Sequence, residues 1–163
     1  MAKIIVALVG WLICTVGFAE QEISGKVVSV IDGNTIELVA DDSETYKITL
    51  YGIDAPELGQ EFGDNAQKFL QKMILDKKVN VKIQGKDRWG NTIGIIFIDG
   101  KVDPRIELLE AGLAWTTERN PIQEFELIKE NARAKGKGLW KQQDPTPPWT
   151  YRRDQTMLEA KAR

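Results

Sequence analysis

Between Gly25 and Leu50 apolar residues alternate with polar ones: Val28 and Val30, then Ile36 and Leu38, then Tyr46, Ile48 and Leu50. A period of two sends neighbouring side chains to opposite faces, so three strands are predicted. The turn residues Asp32, Gly33 and Asn34 join the first two as a hairpin, and Asp41, Asp42 and Ser43 lead into the third. Pro56 closes the run. The period then lengthens: Ala66, Phe69, Leu70 and Met73 recur at helical spacing between Asp64 and Leu75, with Asp64 placed to cap the first turn. Alternation returns at Val79, Val81, Ile83 and at Ile93, Ile95, Phe97, two more strands joined by the polar segment Gly85 to Asn91.

Pro104 suits the first residue of a short helix through Ala111, with Gly112 where a C-terminal cap belongs. Ile122, Phe125, Ile128 and Ala132 mark a last helix, ended by Gly136 and Gly138. Lys129, Arg133, Lys135 and Lys137 crowd its end, as the helix dipole favours. After Trp140 come Pro145, Pro147, Pro148 and Trp149, of which Trp149 is expected to dock on the domain. Residues 154–163 read as a loosely ordered polar tail. Five strands with one helix between the third and fourth match a Greek-key barrel, the OB-fold, in a mainly β domain with about three helices (α+β). Such barrels bind ligands on one sheet face and its adjoining loops.

The N-terminus adds an address. Lys3 precedes an apolar or small run from Ile4 to Phe18, then Ala19 and Glu20, with Gly17 and Ala19 as small residues at a cleavage site. That is the make-up of a signal peptide over residues 1–19, and the run is shorter than the ~20 residues of a membrane span. Export, to the periplasm or the exterior, is expected, with no span left once the leader is gone. The domain then covers residues 20–153. Cys14, the sole cysteine, lies inside the leader, and the chain has no histidine. Thiol nucleophiles, histidine bases and His-ligated zinc are thereby excluded, leaving carboxylates, arginines and a hard metal. With 22 basic against 24 acidic residues the net charge is −2, so no bulk positive field draws in nucleic acid. Phosphate recognition would have to be local.

Several short motifs carry that chemistry: Asp32, Gly33, Thr35; Gly52, Ile53, Asp54, Ala55, Pro56, Glu57; Gln60, Phe62, Gly63; Asp87, Arg88, Trp89, Gly90; Gly112, Leu113, Ala114; Gly138, Leu139, Trp140; and Pro147, Pro148, Trp149. In order and spacing they resemble the thermonuclease family, the staphylococcal nuclease-like proteins, over about residues 25–153. Active members of that family are calcium-dependent nucleases that cut DNA and RNA. The resemblance implies metal ligands at Asp54, at position 34 and at the Ala55 carbonyl, with Asp32 as an outer acidic residue and Glu57 as the carboxylate that activates water. Position 34 is Asn, an oxygen without charge, so a weakened Ca²⁺ site is expected.

The same resemblance puts the two phosphate-binding arginines at Thr49 and Asn91, neither of which can hold a bidentate positive charge. Losing one preorganised donor to a developing oxyanion costs on the order of 10²- to 10³-fold in rate. Two tyrosines of the base-binding wall fall on Glu118 and Asn120. Lys47, on the strand face of Thr49, and Arg88 and Trp89, in the turn before Asn91, are the remaining substrate-binding candidates. The expectation is an exported thermonuclease-like protein with lost or strongly impaired phosphodiesterase activity, which binds nucleic acid, a nucleotide or a partner. The alternative is a working calcium-dependent nuclease that uses Asp54, Glu57, Lys47 and Arg88. A third reading makes Pro147, Pro148 and Trp149 a protein-docking segment.

Overall fold

The computed structural model describes residues 21–162; the predicted leader lies outside the described residues. In chain order the elements are β1 (Glu22–Val30), β2 (Thr35–Ala40), β3 (Thr45–Leu50), β4 (Ile53–Asp54), α1 (Gly63–Ile74), β5 (Lys78–Lys86), β6 (Thr92–Ile98), α2 (Pro104–Glu110), β7 (Trp115–Thr116), α3 (Gln123–Ala134) and α4 (Pro148–Lys161). A 3-10 turn, Gly138–Lys141, lies between the last two helices. Five strands close into a barrel in the order β1-β2-β3-β6-β5, with β5 returning to β1. Only β3 and β6 run parallel; the other barrel pairs are antiparallel. With helices on the outside this is the OB-fold barrel expected from the sequence, an α+β architecture.

The alternating pattern builds the barrel interior from Val27, Ile36, Leu38, Ile48, Leu50, Val81 and Ile96, each essentially inaccessible. Leu70 and Ile74 of α1 and Leu108 and Leu109 of α2 cap this core and are buried to the same degree. Truncating such a leucine to alanine costs about 2–5 kcal/mol. Two strands differ from the pattern read in the sequence. Val28 is exposed, because the register of β1 against β2 shifts between Val27 and Ser29, and this bulge turns Val27 inward in its place. In β6 the buried positions are Thr92, Gly94, Ile96 and Ile98, while Ile93, Ile95 and Phe97 are half-buried on the outer face. Apolar residues stand on both faces there, so periodicity alone could not choose the inward one.

Two helix ends also differ. Asp64 does not cap α1; Phe62 stands at the N-cap in a left-handed conformation, and Asp64 lies in the first turn, where its charge meets the helix dipole. The segment after Arg153, read as a polar tail, continues α4 to Lys161. Pro148 starts that helix, but most of its surface meets water, so no apolar stripe announces it. Gly112 follows α2 with φ +67°, and a Cβ there would stand 2.3 Å from the Lys137 carbonyl oxygen, so glycine is required. Three of the basic residues around the end of α3 are used internally: Lys129 pairs with Glu126 at 2.7 Å, Arg133 stacks on Trp140 and Lys137 donates to the Glu110 carbonyl. Among the described residues no helix is long and apolar enough to cross a membrane.

Candidate active-site groove

The β1–β2 turn, β4 and the loop after it converge on one side of the barrel. Asn34 N–H donates to Asp32 Oδ1 at 2.9 Å, the local bond that makes Asp a turn former. Gln67 of α1 donates to the carbonyls of Val30 and Ile31 and holds the turn against the helix. Gly33 lets it come close: a Cβ there would lie 2.6 Å from the Cβ atoms of both Ala55 and Ala66. Asp54 is fixed by its strand, because β4 pairs with β7 with Asp54 opposite Trp115. Glu57 follows, its N–H bound to Gln60 Oε1 at 3.1 Å, while Gln60 Nε2 donates to the Thr146 carbonyl. Backbone contacts of the fold thus bring three carboxylates together.

They line a groove of about 820 Å³ with Asn34, Lys47, Thr49, Arg88, Trp89, Asn91, Glu118, Trp149 and Arg152. Burial raises the carboxyls of Asp32 and Asp54 above their ordinary value, with Glu57 adding repulsion to both, against opposing hydrogen bonds. For Asp54 the opposition comes from Arg152, and burial still prevails. Lys47 and Thr49 project from the same face of β3 into the groove, opposite Glu37 and Thr35 of β2. Asn91 also faces it, but its side chain is occupied: Nδ2 donates to Asp87 Oδ2 at 2.7 Å. Asp87 further accepts from the N–H groups of Trp89 and Asn91, so Asn91 belongs to the architecture of this turn. At the turn's tip Trp89 is 72% exposed, with the Arg88 guanidinium 4.0 Å from its ring centre.

Of the other predicted site residues, Ala55 is buried beneath Gly33 and does not line the groove, and neither does Asn120. Asn34 Nδ2 reaches the Ile53 carbonyl at 3.4 Å and ties the turn to β4. Trp149 packs edge-on against Trp115 at 5.7 Å, and Trp115 in turn meets Trp140 at 4.5 Å. Its ring is therefore an internal anchor of α4.

Sequence reasoning missed Arg152. From the second turn of α4 its Nη1 donates to Asp54 Oδ1 at 3.0 Å and to Glu57 Oε1 at 2.6 Å, and its Nη2 donates to Asp54 Oδ2 at 2.7 Å. Asp54 and Glu57 hold its already high pKa higher still, so the charge is permanent. The next residue, Arg153, pairs with Glu118 at 3.3 Å. The adjacent Pro147, Pro148, Trp149 motif was the signal at hand, since a docked tryptophan brings whatever lies three residues later over the same surface.

A profile described as "Staphylococcal nuclease homologue" matches residues 47–142. The chain is 34% identical over 132 residues to an uncharacterized endonuclease of Escherichia coli O157:H7, covering 80% of this chain and 86% of that one. A Haemophilus influenzae protein, also named an uncharacterized endonuclease, is 33% identical over 80% of this chain and 73% of its own. A micrococcal nuclease of Shigella flexneri is 30% identical, with 83% of each chain covered. The chain belongs to the staphylococcal nuclease family. Arg152 lies beyond the residues the profile matches.

The family is in general calcium-dependent. Calcium takes about six to eight oxygen ligands. The oxygens of Asp54, Asn34 and Asp32 are of the right hardness, but both Asp54 oxygens are bound to Arg152 and Asn34 brings no charge. Among the described residues no three Asp, Glu, His or Cys side chains gather to hold a metal ion. As arranged, with Arg152 between the carboxylates, these residues do not fit calcium.

Proposed function

We propose that this is an exported nucleic-acid-binding member of the nuclease family, with strongly impaired phosphodiesterase activity. One observation carries the reading: the groove gathers Asp32, Asp54 and Glu57 with Lys47, Arg88 and Trp89, yet its Thr49 and Asn91 positions offer no guanidinium. A single strand suits such a groove, with a base stacked on the exposed Trp89 ring and backbone phosphates near Arg88 and Lys47. Without a charged fork at either family position, transition-state stabilisation is the weakest part of the site. The names of the relatives support nuclease-type chemistry. One feature favours the second reading, a working nuclease with a rearranged charge set: Arg152 places a guanidinium beside the carboxylates.

The test incubates the purified protein with single-stranded DNA and RNA, with millimolar Ca²⁺ or with chelator, beside Glu57→Gln. Binding without appreciable cleavage is expected. Rapid cleavage that needs both Ca²⁺ and Glu57 would establish the second reading, and absence of binding would remove the first. Export is checked by N-terminal sequencing of secreted material, expected to begin at Glu20; an intact Met1 would overturn it.

A further inference from the structure

We propose that Arg152 is the guanidinium that contacts the substrate phosphate in this groove, taking over from the missing arginines at Thr49 and Asn91. The inference rests on the phosphodiester-binding reading above and deepens it by naming the phosphate-contacting residue.

A guanidinium carries five N–H donors, arranged as an end-on fork of Nη1 and Nη2 and a side-on fork of Nε and Nη2. Asp54 takes the end-on fork, with Oδ1 on Nη1 and Oδ2 on Nη2. Glu57 takes the remaining hydrogen of Nη1. No described residue accepts from Nε or from the second hydrogen of Nη2, and the side chain is 48% exposed. The side-on fork is therefore open, and its two parallel donors match two oxygens of a phosphate.

The group is also held in place before any ligand arrives. Pro148 is buried at the start of α4, Trp149 is packed on Trp115, and Gln60 fastens Thr146 just ahead of the helix. Asp54 and Glu57 orient the guanidinium plane from below, and Arg153 fastens the same turn to Glu118. Little side-chain entropy remains to be lost on binding. Charge points the same way: the groove is lined by five carboxylates, Asp32, Asp54, Glu57, Asp87 and Glu118, against three cations, Lys47, Arg88 and Arg152. A phosphodiester avoids such a surface unless a cation screens the carboxylates where it lands, and Arg152 is the one that bridges two of them. Lys47 is a point charge without a fork, and Arg88 is stacked on Trp89 at the turn's tip.

The experiment needs no turnover. Binding of a fluorescent single-stranded oligothymidylate is followed by anisotropy in chelator across a range of NaCl, for the parent protein, Arg152→Ala and Arg152→Lys. Arg152→Ala should weaken binding about tenfold or more and lower the salt slope by about one contact. Arg152→Lys should keep the slope while recovering only part of the affinity, because a lysine restores charge without the fork. Arginine side-chain NMR of the parent should show the Arg152 Nε–Hε signal move as oligonucleotide is added. This readout stands even if a variant fails to fold, and a purely structural salt bridge would not produce it. Equal or tighter binding by Arg152→Ala, or an unmoved Nε–Hε signal in a parent that binds, overturns this inference alone and makes Arg152 a plug on the carboxylates. A parent protein that binds no oligonucleotide overturns the phosphodiester reading and this inference together.

Discussion

The acidic and basic halves of the groove are built in different ways. Asp32, Asp54 and Glu57 are placed by backbone: a turn wedged under α1 at Gly33, a strand paired with β7, and a loop tied by Gln60. The cations reach in from the edges, Lys47 from an exposed position on β3, Arg88 from the tip of the β5–β6 turn and Arg152 from α4. Folding therefore requires the neighbourhood of the carboxylates but makes no demand on a guanidinium at Thr49 or Asn91. A site of this construction can exchange its cations while its acidic half stays in place. The acidic half also bears a folding cost, since two of its carboxyls are buried enough to resist ionisation.

Restoring the charges that this chain lacks at Thr49, Asn91 and Asn34 should give the largest effect. In an Arg152→Ala background, which frees the Asp54 oxygens for calcium, Thr49→Arg, Asn91→Arg and Asn34→Asp together should raise oligonucleotide cleavage in Ca²⁺ by on the order of 10²-fold or more. The two arginine changes should differ in stability. Thr49 offers a half-buried position on the groove face, whereas Asn91→Arg removes the donor to Asp87 Oδ2 and loosens the turn that carries Arg88 and Trp89. Single-turnover cleavage and thermal unfolding on the single and triple variants measure both. No gain in a folded triple variant would mean that the basic half cannot be rebuilt at these positions.

Legibility in the sequence divides along the same line. The barrel was readable because alternation, turn residues and one amphipathic helix coincide with its strands and α1. The acidic half was readable because Asp32, Asp54 and Glu57 lie within short motifs that resemble the family's, and the structure brings the three to one groove. What failed was anything set by non-local contact. The bulge at Val27 and Ser29 reverses the face of a strand end, and apolar residues on both sides of β6 hide its inward face. Arg152 acts 98 residues away from Asp54 on a helix with no apolar stripe, so neither period nor spacing could connect them. Asn91 was read as a position where the resemblance expects arginine, and not as the residue that completes the Asp87 turn.

A smaller effect probes how the acidic half is held. Gly33→Ala adds a Cβ 2.6 Å from two other Cβ atoms, those of Ala55 and Ala66, and overpacking of this kind costs about 1–3 kcal/mol. Its chemical-denaturation midpoint should fall, and the Asp32 turn should be pushed away from Asp54. Lys47→Ala, at an exposed position of the basic half, should change stability by about 0.5 kcal/mol or less. Equal losses in the two variants would remove the distinction between a backbone-built and a peripheral half.

The smallest effect concerns pH. Burial raises the Asp32 carboxyl above its ordinary value of 3.8, outweighing the hydrogen bonds from Asn34 and Thr35. A raised folded-state pKa means that the folded protein binds this proton more tightly than the unfolded chain does. The stabilisation is fully present below 3.8 and is lost as pH rises through the folded value, so ionised Asp32 costs stability at neutral pH. Asp32→Asn keeps an oxygen to accept the Asn34 N–H but carries no charge at any pH. The variant should therefore be slightly more stable than the parent at pH 7, with the difference shrinking as pH falls through the raised folded value and changing no further below 3.8. A parent that is the more stable of the two at pH 7 would show that the turn's hydrogen bonds to a charged carboxylate outweigh its burial. In that case the acidic half would bear no ionisation cost at Asp32, and the contrast between the halves would rest on backbone placement alone.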